Sequence, residues 1–224
     1  MSGIVGTSPN MNSGVIGKTF GLQSMQVFTA NGTWTKPTGI TTIKVIVTGS
    51  GGGGGSGLAN DDQGGSGGAD GTAISVIDVT SIASQTVTIG TAGGGGSAGN
   101  NGSAGGSSSF GSLVVATGGG AGNHYNNADY NMNAGGVGTT GQILINGGTG
   151  AGAGNNGSSL VGAAPQGGAS YWGGGGKSAS TVHNDIALPA YCYGAGGGGG
   201  CEGQSNSLIG KDGKAGIVVV EEYC

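Results

Sequence analysis

The sequence predicts an all-β, partly irregular fold. A small β-sheet base comes from strands near the two chain ends, glycine-rich helices of the polyproline II type pack onto it, and there is essentially no α-helix. Three observations carry this. Sixty of the 224 residues are glycine, several times ordinary usage. The apolar residues fall into short, β-branched blocks of the kind that favour strands. Glycine tracts separate these blocks, and no segment carries a helical apolar repeat.

Taken in order, residues 1–25 form a leader, with only the apolar pairs Ile4-Val5 and Val15-Ile16 to dock it onto a partner or the main body. The remainder, 26–224, is the glycine-rich domain. Its strand blocks begin at Met25–Ala30, followed by the turn dipeptide Asn31-Gly32 and by Thr33-Trp34-Thr35. Thr41–Thr48 is β-branched at nearly every position and is the best strand. Ala73–Val79 alternates imperfectly, which suggests burial on both faces or a bend. Gln85–Ile89, Ser112–Ala116 and Gln142–Ile145 are shorter strand blocks, and Gly213–Tyr223 ends the chain on a strong strand. First and last strands that read this clearly are expected to pair in one sheet.

Flexible linkers are the simplest reading of the glycine tracts, but linkers rarely recur five or more times between short apolar blocks. Collagen needs a strict glycine at every third position and abundant proline, whereas this chain has four prolines and no strict period. Packed extended helices with three residues per turn explain the pattern better. They lack internal hydrogen bonds, so each must satisfy its backbone through its neighbours.

Charged residues make up 7% of the chain and the net charge is −4. No basic cluster exists to neutralise phosphates, which disfavours nucleic acid. No apolar run is long enough for a membrane-spanning helix, and the N-terminus lacks the pattern of a secretory signal. Cys192, Cys201 and Cys224 form no Cys-x-x-Cys pair, and His124 and His183 lie far apart. No metal site or other cofactor is expected, and reduced, buried cysteines are favoured over a 192–201 disulfide.

Catalytic strings in such a sequence arise by chance. Lys177-Ser178 ends an apparent phosphate loop whose first glycine would fall on Tyr171, so the match fails. Gly64–Gly68 and Gly95–Gly99 match a nucleophile-elbow string without the strand and helix that it needs. Asp61, Asp62, Asp70, Asp78 and Asp129 are scattered and read mostly as turn residues, not as the facing pair of a glycosidase. The expectation is therefore a non-enzymatic protein.

Aromatic residues make up only 5%. Phe28, Trp34 and Phe110 flank strands and read as core. A second set lies within the glycine-rich stretches: His124, Tyr125, Tyr130, Tyr171, Trp172, His183, Tyr191 and Tyr193. Tyr, Trp, Asn and Ser in glycine-rich loops match the composition of adaptable recognition surfaces, and these eight are the candidates for a loop-tip binding surface. The alternative is that they clamp the glycine helices by packing on them.

Val27-Phe-Thr-Ala-Asn-Gly-Thr-Trp-Thr-Lys-Pro-Thr-Gly-Ile-Thr-Thr-Ile-Lys-Val-Ile-Val-Thr-Gly-Ser-Gly-Gly-Gly-Gly-Gly55 resembles the opening of the glycine-rich domain of phage tail fibres and tip adhesins. Thr86–Gly96, Ser109–Gly120 and Gly213–Tyr223 are similar to that family's middle and end, so the resemblance covers roughly residues 26–223. It implies a bacteriophage virion protein, made in the host cytoplasm and exposed on the particle. Such a protein would contact other virion proteins and bind an outer-membrane protein or surface glycan through displayed loops, as T-even-like tip adhesins do. Only residues 1–25 remain for docking, so a capsid decoration or fibre spacer is the alternative. Fibre proteins are often trimeric, which leaves a homotrimer open, although no coiled-coil heptads enforce one.

Overall fold

The β-branched blocks become strands wherever one face can be buried against a second sheet. The computed structural model describes residues 21–57, 62–97, 99–124, 132–155, 166–179, 186–201 and 209–224. Its strands in chain order are β1 (Leu22–Phe28), β2 (Gly32–Thr35), β3 (Thr42–Thr48), β4 (Asp62–Gln63), β5 (Thr72–Asp78), β6 (Ser84–Thr88), β7 (Ser108–Phe110), β8 (Val114–Ala116), β9 (Gly138–Thr140), β10 (Ile143–Ile145), β11 (Gly154–Asn155) and β12 (Ile217–Tyr223). The described residues contain no helix.

Two five-stranded sheets, antiparallel throughout, form the base. One has the order β1-β12-β3-β5-β10 and the other β2-β6-β7-β8-β9, while β4 and β11 pair separately. The first and last strands pair as the sequence predicts, with Met25 opposite Glu221 and Val27 opposite Val219. Asn31-Gly32 does not close a hairpin, because β1 and β2 belong to different sheets. The turn instead carries the chain from one sheet to the other, and the Asn31 carboxamide oxygen accepts the Ile89 N–H at 2.7 Å.

The core lies between the sheets. Ile43, Val45 and Val47 of β3 and Val218 and Val220 of β12 meet Trp34, Val87, Phe110 and Val114 of the facing sheet. Trp34 and Phe110 pack tilted at 59° with ring centroids 5.6 Å apart. Phe28 is half-buried against the same cluster. Glu222 also points into this core and is fully buried. Its carboxylate accepts the Trp34 indole N–H and the Gln26 amide, each at 2.7 Å, and the Ser24 hydroxyl. Three donors replace the water that the buried carboxyl group gives up, as burial of a polar group requires.

Beyond the sheets the glycine tracts form a bundle held by backbone hydrogen bonds. In the tract 49–56, the N–H groups of Gly49, Gly52 and Gly55 donate to the carbonyls of Gly71, Gly68 and Gly65. Those of Ser50, Gly53 and Ser56 donate to Gly106, Ser103 and Asn100, and those of Gly51 and Gly54 to Lys214 and Lys211. Each neighbour is met at every third residue, the repeat of an extended helix with three residues per turn. The carbonyls of Ser50, Gly51 and Gly52 accept from Gly119, Gly93 and Gly197. The tract thus has six neighbours, and every N–H from 49 to 56 has an acceptor, as burial requires. This spacing excludes side chains: a Cβ on Gly52 would lie 1.9 Å from the Gly120 carbonyl oxygen.

Candidate functional site

The pleat of the first sheet decides what its outer face presents, because successive side chains alternate between faces. With Ile43, Val45 and Val47 turned to the core, Lys44 and Ile46 face outward; so do Ile217, Val219 and Glu221 of β12, opposite Met25 and Val27 of β1. Met25 and Val27 are 57% and 51% exposed. Lys44 and Glu221 form an ion pair at 3.1 Å. The Tyr223 hydroxyl, donating to Glu221 at 2.6 Å, is the main reason the Glu221 carboxyl is held below its usual range; burial opposes this and Lys44 assists it. The same bond pushes the Tyr223 hydroxyl up.

Over this apolar floor stands a tight turn. The Ser170 N–H donates to the Gly173 carbonyl at 2.8 Å and the Trp172 N–H to the Ser170 hydroxyl at 3.1 Å. Gly173 has φ +151°, and a Cβ there would lie 2.6 Å from Cys192 Sγ, so glycine is required. The turn presents Tyr171 and Trp172 edge to face, with centroids 5.1 Å apart and planes at 89°. Tyr193 packs against Ile46, Ile217 and Val219. Floor and turn enclose a groove of about 430 Å³ between Met25, Val27, Lys44, Ile46, Tyr171, Trp172, Tyr193, Ile217, Val219 and Glu221.

A glycine-rich domain family model matches residues 27–223. The chain belongs to the glycine-rich domain family. No curated protein matches it.

This glycine-rich domain anchors the groove's tryptophan from below. The Trp172 indole N–H donates to Thr48 Oγ1 at 3.0 Å, Thr48 meets the Thr72 hydroxyl at 3.0 Å, and Thr72 donates to Asp70 Oδ2 at 3.1 Å. Asp70 is buried, and among the described residues its Oδ1 has no hydrogen-bond partner. Burial pushes its carboxyl up to about 7, against the lowering effect of the Thr72 hydroxyl and the Asp70 backbone N–H. In the sequence Asp70 is one of several scattered acidic residues that read mostly as turn residues. Its burial follows from the surrounding glycine tracts, since a Cβ on Gly194 would lie 2.2 Å from Asp70 Oδ1.

Of the eight aromatic and histidine candidates, the domain brings Tyr171, Trp172 and Tyr193 together at the groove. Tyr171 and Trp172 are 48% and 37% exposed. Tyr191 is 72% exposed but does not line the groove. His124 sits at the other end of the bundle, where its backbone N–H and Nδ1 meet Asn101 Oδ1 at 2.7 and 2.6 Å. Its backbone nitrogen lies beside Gly55, whereas Trp172 bonds Thr48. Seven residues of an extended helix separate these two points by roughly 20 Å. Tyr125, Tyr130 and His183, and the leader positions Ile4, Val5, Val15 and Ile16, lie outside the described residues.

Among the described residues no group of three or more His, Cys, Asp or Glu could hold a metal ion. Cys192 and Cys201 are not joined; Cys201 is buried, Cys192 half-buried and Cys224 exposed. Sequence reasoning missed the groove floor. Its signal was the unbroken apolar run Ile217–Val220, which reads as burial on both faces, yet one face lies under the groove.

Proposed function

We propose that this glycine-rich domain belongs to a bacteriophage virion protein, a tail-fibre or tip adhesin module, and that it binds a host cell-surface receptor at the groove walled by Tyr171, Trp172 and Tyr193. The observation that carries the reading is a rigid aromatic turn, partly exposed and hydrogen-bonded in place over an apolar sheet face. Aromatic side chains give large contact area at low conformational cost, and binding sites favour apolar concavities with a few placed polar groups. The groove's one carboxylate and one ammonium are paired with each other, which suits recognition better than acid–base chemistry. An outer-membrane protein or a surface glycan is the partner class.

The test is binding of the isolated protein to host cells. Replacing Tyr171, Trp172 and Tyr193 together with Ala should reduce binding at least tenfold, about 1.4 kcal/mol, while the thermal midpoint stays near that of the parent. Unchanged binding would remove the groove from the receptor site. A parallel variant at Tyr125, Tyr130 and Tyr191 asks whether the other candidates contribute.

A second reading, a capsid decoration or fibre spacer, is favoured by one feature. Among the described residues edge strand β1 pairs only with β12, and its segment Leu22–Phe28 carries neither charge nor proline. Natural edges are commonly protected by such residues, so a virion partner covering this edge would account for their absence. Immunogold labelling of the phage separates the readings: gold at distal fibre ends supports the adhesin, and gold over the capsid supports decoration.

A further inference from the structure

The three hydrogen bonds beneath the groove share one direction. An indole N–H can only donate, so Thr48 Oγ1 accepts from Trp172; when the ionised Asp70 carboxylate takes the Thr72 hydrogen, Thr48 is the donor to Thr72. Thr72 then spends its single hydrogen on Asp70 Oδ2. The relay is buried at Thr48, Thr72 and Asp70, so water cannot substitute for a missing partner. We propose that Asp70 is a positioning residue for the receptor groove, fixing Trp172 through Thr72 and Thr48, and that its charge state sets how firmly the aromatic turn is held. The proposal rests on the reading of this groove as the binding site.

The physical reason is the acceptor at the end of the chain. An ionised carboxylate makes a charge-assisted bond roughly twice as strong as a neutral one, and in a low dielectric that polarisation passes along connected hydroxyls. A neutral carboxyl weakens the terminal acceptor. If its proton sits on Oδ2, it reverses Thr72, Thr48 then receives two donors, and the Thr48 hydrogen is left to seek another acceptor. Trp172 is therefore held more firmly above the Asp70 transition than below it.

Among the described residues no charged neighbour sets that transition. The strands on either side carry Lys44 and Asp78, the tract hydrogen-bonded to Gly194 and Ala195 carries Lys214 with Asp212 nearby, and Cys192 and Tyr193 precede Gly194. None contributes to the Asp70 shift, which comes from burial against Thr72 and the residue's own backbone. Coupling between two sites is reciprocal, so a ligand that immobilises Trp172 should also favour the ionised carboxylate and release a proton.

The experiment is acrylamide quenching of tryptophan fluorescence in the full chain between pH 5.5 and 8.5. Trp34 is fully buried, and a Trp172→Phe variant supplies its background. The Trp172 component should become less quenchable as pH rises, with a midpoint near 7. Asp70→Asn, a neutral near-isostere, should abolish that transition. Thr48→Val, which cuts the relay above an intact Asp70, should leave Trp172 quenchable throughout. A flat parent profile, or a transition that persists in Asp70→Asn, would overturn the proposal. No receptor enters the measurement, so its failure is distinct from a failure of the cell-binding test. If Trp172 titrates while the Tyr171, Trp172 and Tyr193 variant still binds cells, the relay stands and the groove loses its receptor role.

Discussion

The sheet base and the glycine bundle bury their atoms by opposite means. Between the sheets, Trp34, Phe110 and the valines of β3 and β12 fill the space with side chains, and stability comes from apolar area and dispersion. In the bundle, tracts such as 49–56 bring no side chain to their contacts beyond an occasional Ser or Ala, and the backbone itself is the packing surface. Removing atoms should damage the base, and adding them should damage the bundle. The difference also extends to charge. Glu222 in the base has three donors, whereas Asp70 at the edge of the bundle has the Thr72 hydroxyl and one orphaned oxygen. A core of side chains can turn several donors onto a carboxylate; a bundle whose N–H groups are already committed to carbonyls has few to spare.

The largest effect is expected from adding one methyl group at the bundle centre. Gly52→Ala drives a Cβ to within 1.9 Å of the Gly120 carbonyl oxygen, and both partners are backbone fixed by hydrogen bonds on every side. The cost should exceed about 4 kcal/mol and leave no cooperative unfolding transition by Trp34 fluorescence. A folded Gly52→Ala protein would mean that the tracts can slide apart, and the comparison would fail.

Next comes Glu222→Ala in the base. It leaves the Trp34 indole, the Gln26 amide and the Ser24 hydroxyl without their acceptor, at about 1–3 kcal/mol for each donor that stays buried. Denaturant unfolding should show a loss of about 3–6 kcal/mol, with much of it recovered in Glu222→Gln, whose amide oxygen still accepts.

Asp70→Asn should act with the opposite sign, and only at higher pH. The Asp70 carboxyl is raised from 3.8 to about 7, so folding favours its protonated form. Its contribution is fully present below 3.8 and is lost as pH rises through about 7. The variant should match the parent near pH 4 and exceed it above pH 7, by at most about 4 kcal/mol. Unfolding curves at the two pH values give the answer directly, and a variant less stable than the parent at pH 8 would show that the orphaned oxygen has a partner.

Much of the base was legible in the sequence because β-branched runs announce strands: β3, β5 and β6 fall within two residues of their expected limits, β12 starts four residues later than expected because Gly213–Gly216 belongs to a glycine tract, and β1 pairs with β12. The bundle was legible from the number of tracts and their spacing. By contrast, β7 and β9 left no signal, since Ser108–Phe110 and Gly138–Thr140 are three residues each and nearly devoid of β-branched apolar side chains. The groove was only half legible. Tyr171, Trp172 and Tyr193 stand out as aromatics among glycines, but the floor that they cover comes from residues as distant as Val27 and Val219, joined only by strand register. The burial of Asp70 was not legible, because its sequence neighbours look like a turn and the residue that closes over its carboxyl is the distant Gly194.

The smallest effect should come from two adjacent glycines at the bundle surface, and it sharpens the comparison most. Gly174 has open space where a Cβ would go and no left-handed φ, whereas a Cβ on Gly175 would lie 2.2 Å from the Gly167 carbonyl oxygen. Ala at 174 therefore meets nothing in the folded state and restricts only the unfolded chain, which should raise stability by about 0.4–1 kcal/mol. Ala at 175 restricts the unfolded chain equally but must push a tract aside, so it should lower stability despite being one residue away. If both variants gain, glycine at these positions serves chain entropy alone. If both lose, backbone conformation and not contact distance holds the glycine at 174. Only opposite signs fit a bundle in which the approach of a neighbouring carbonyl decides, residue by residue, where a side chain is forbidden.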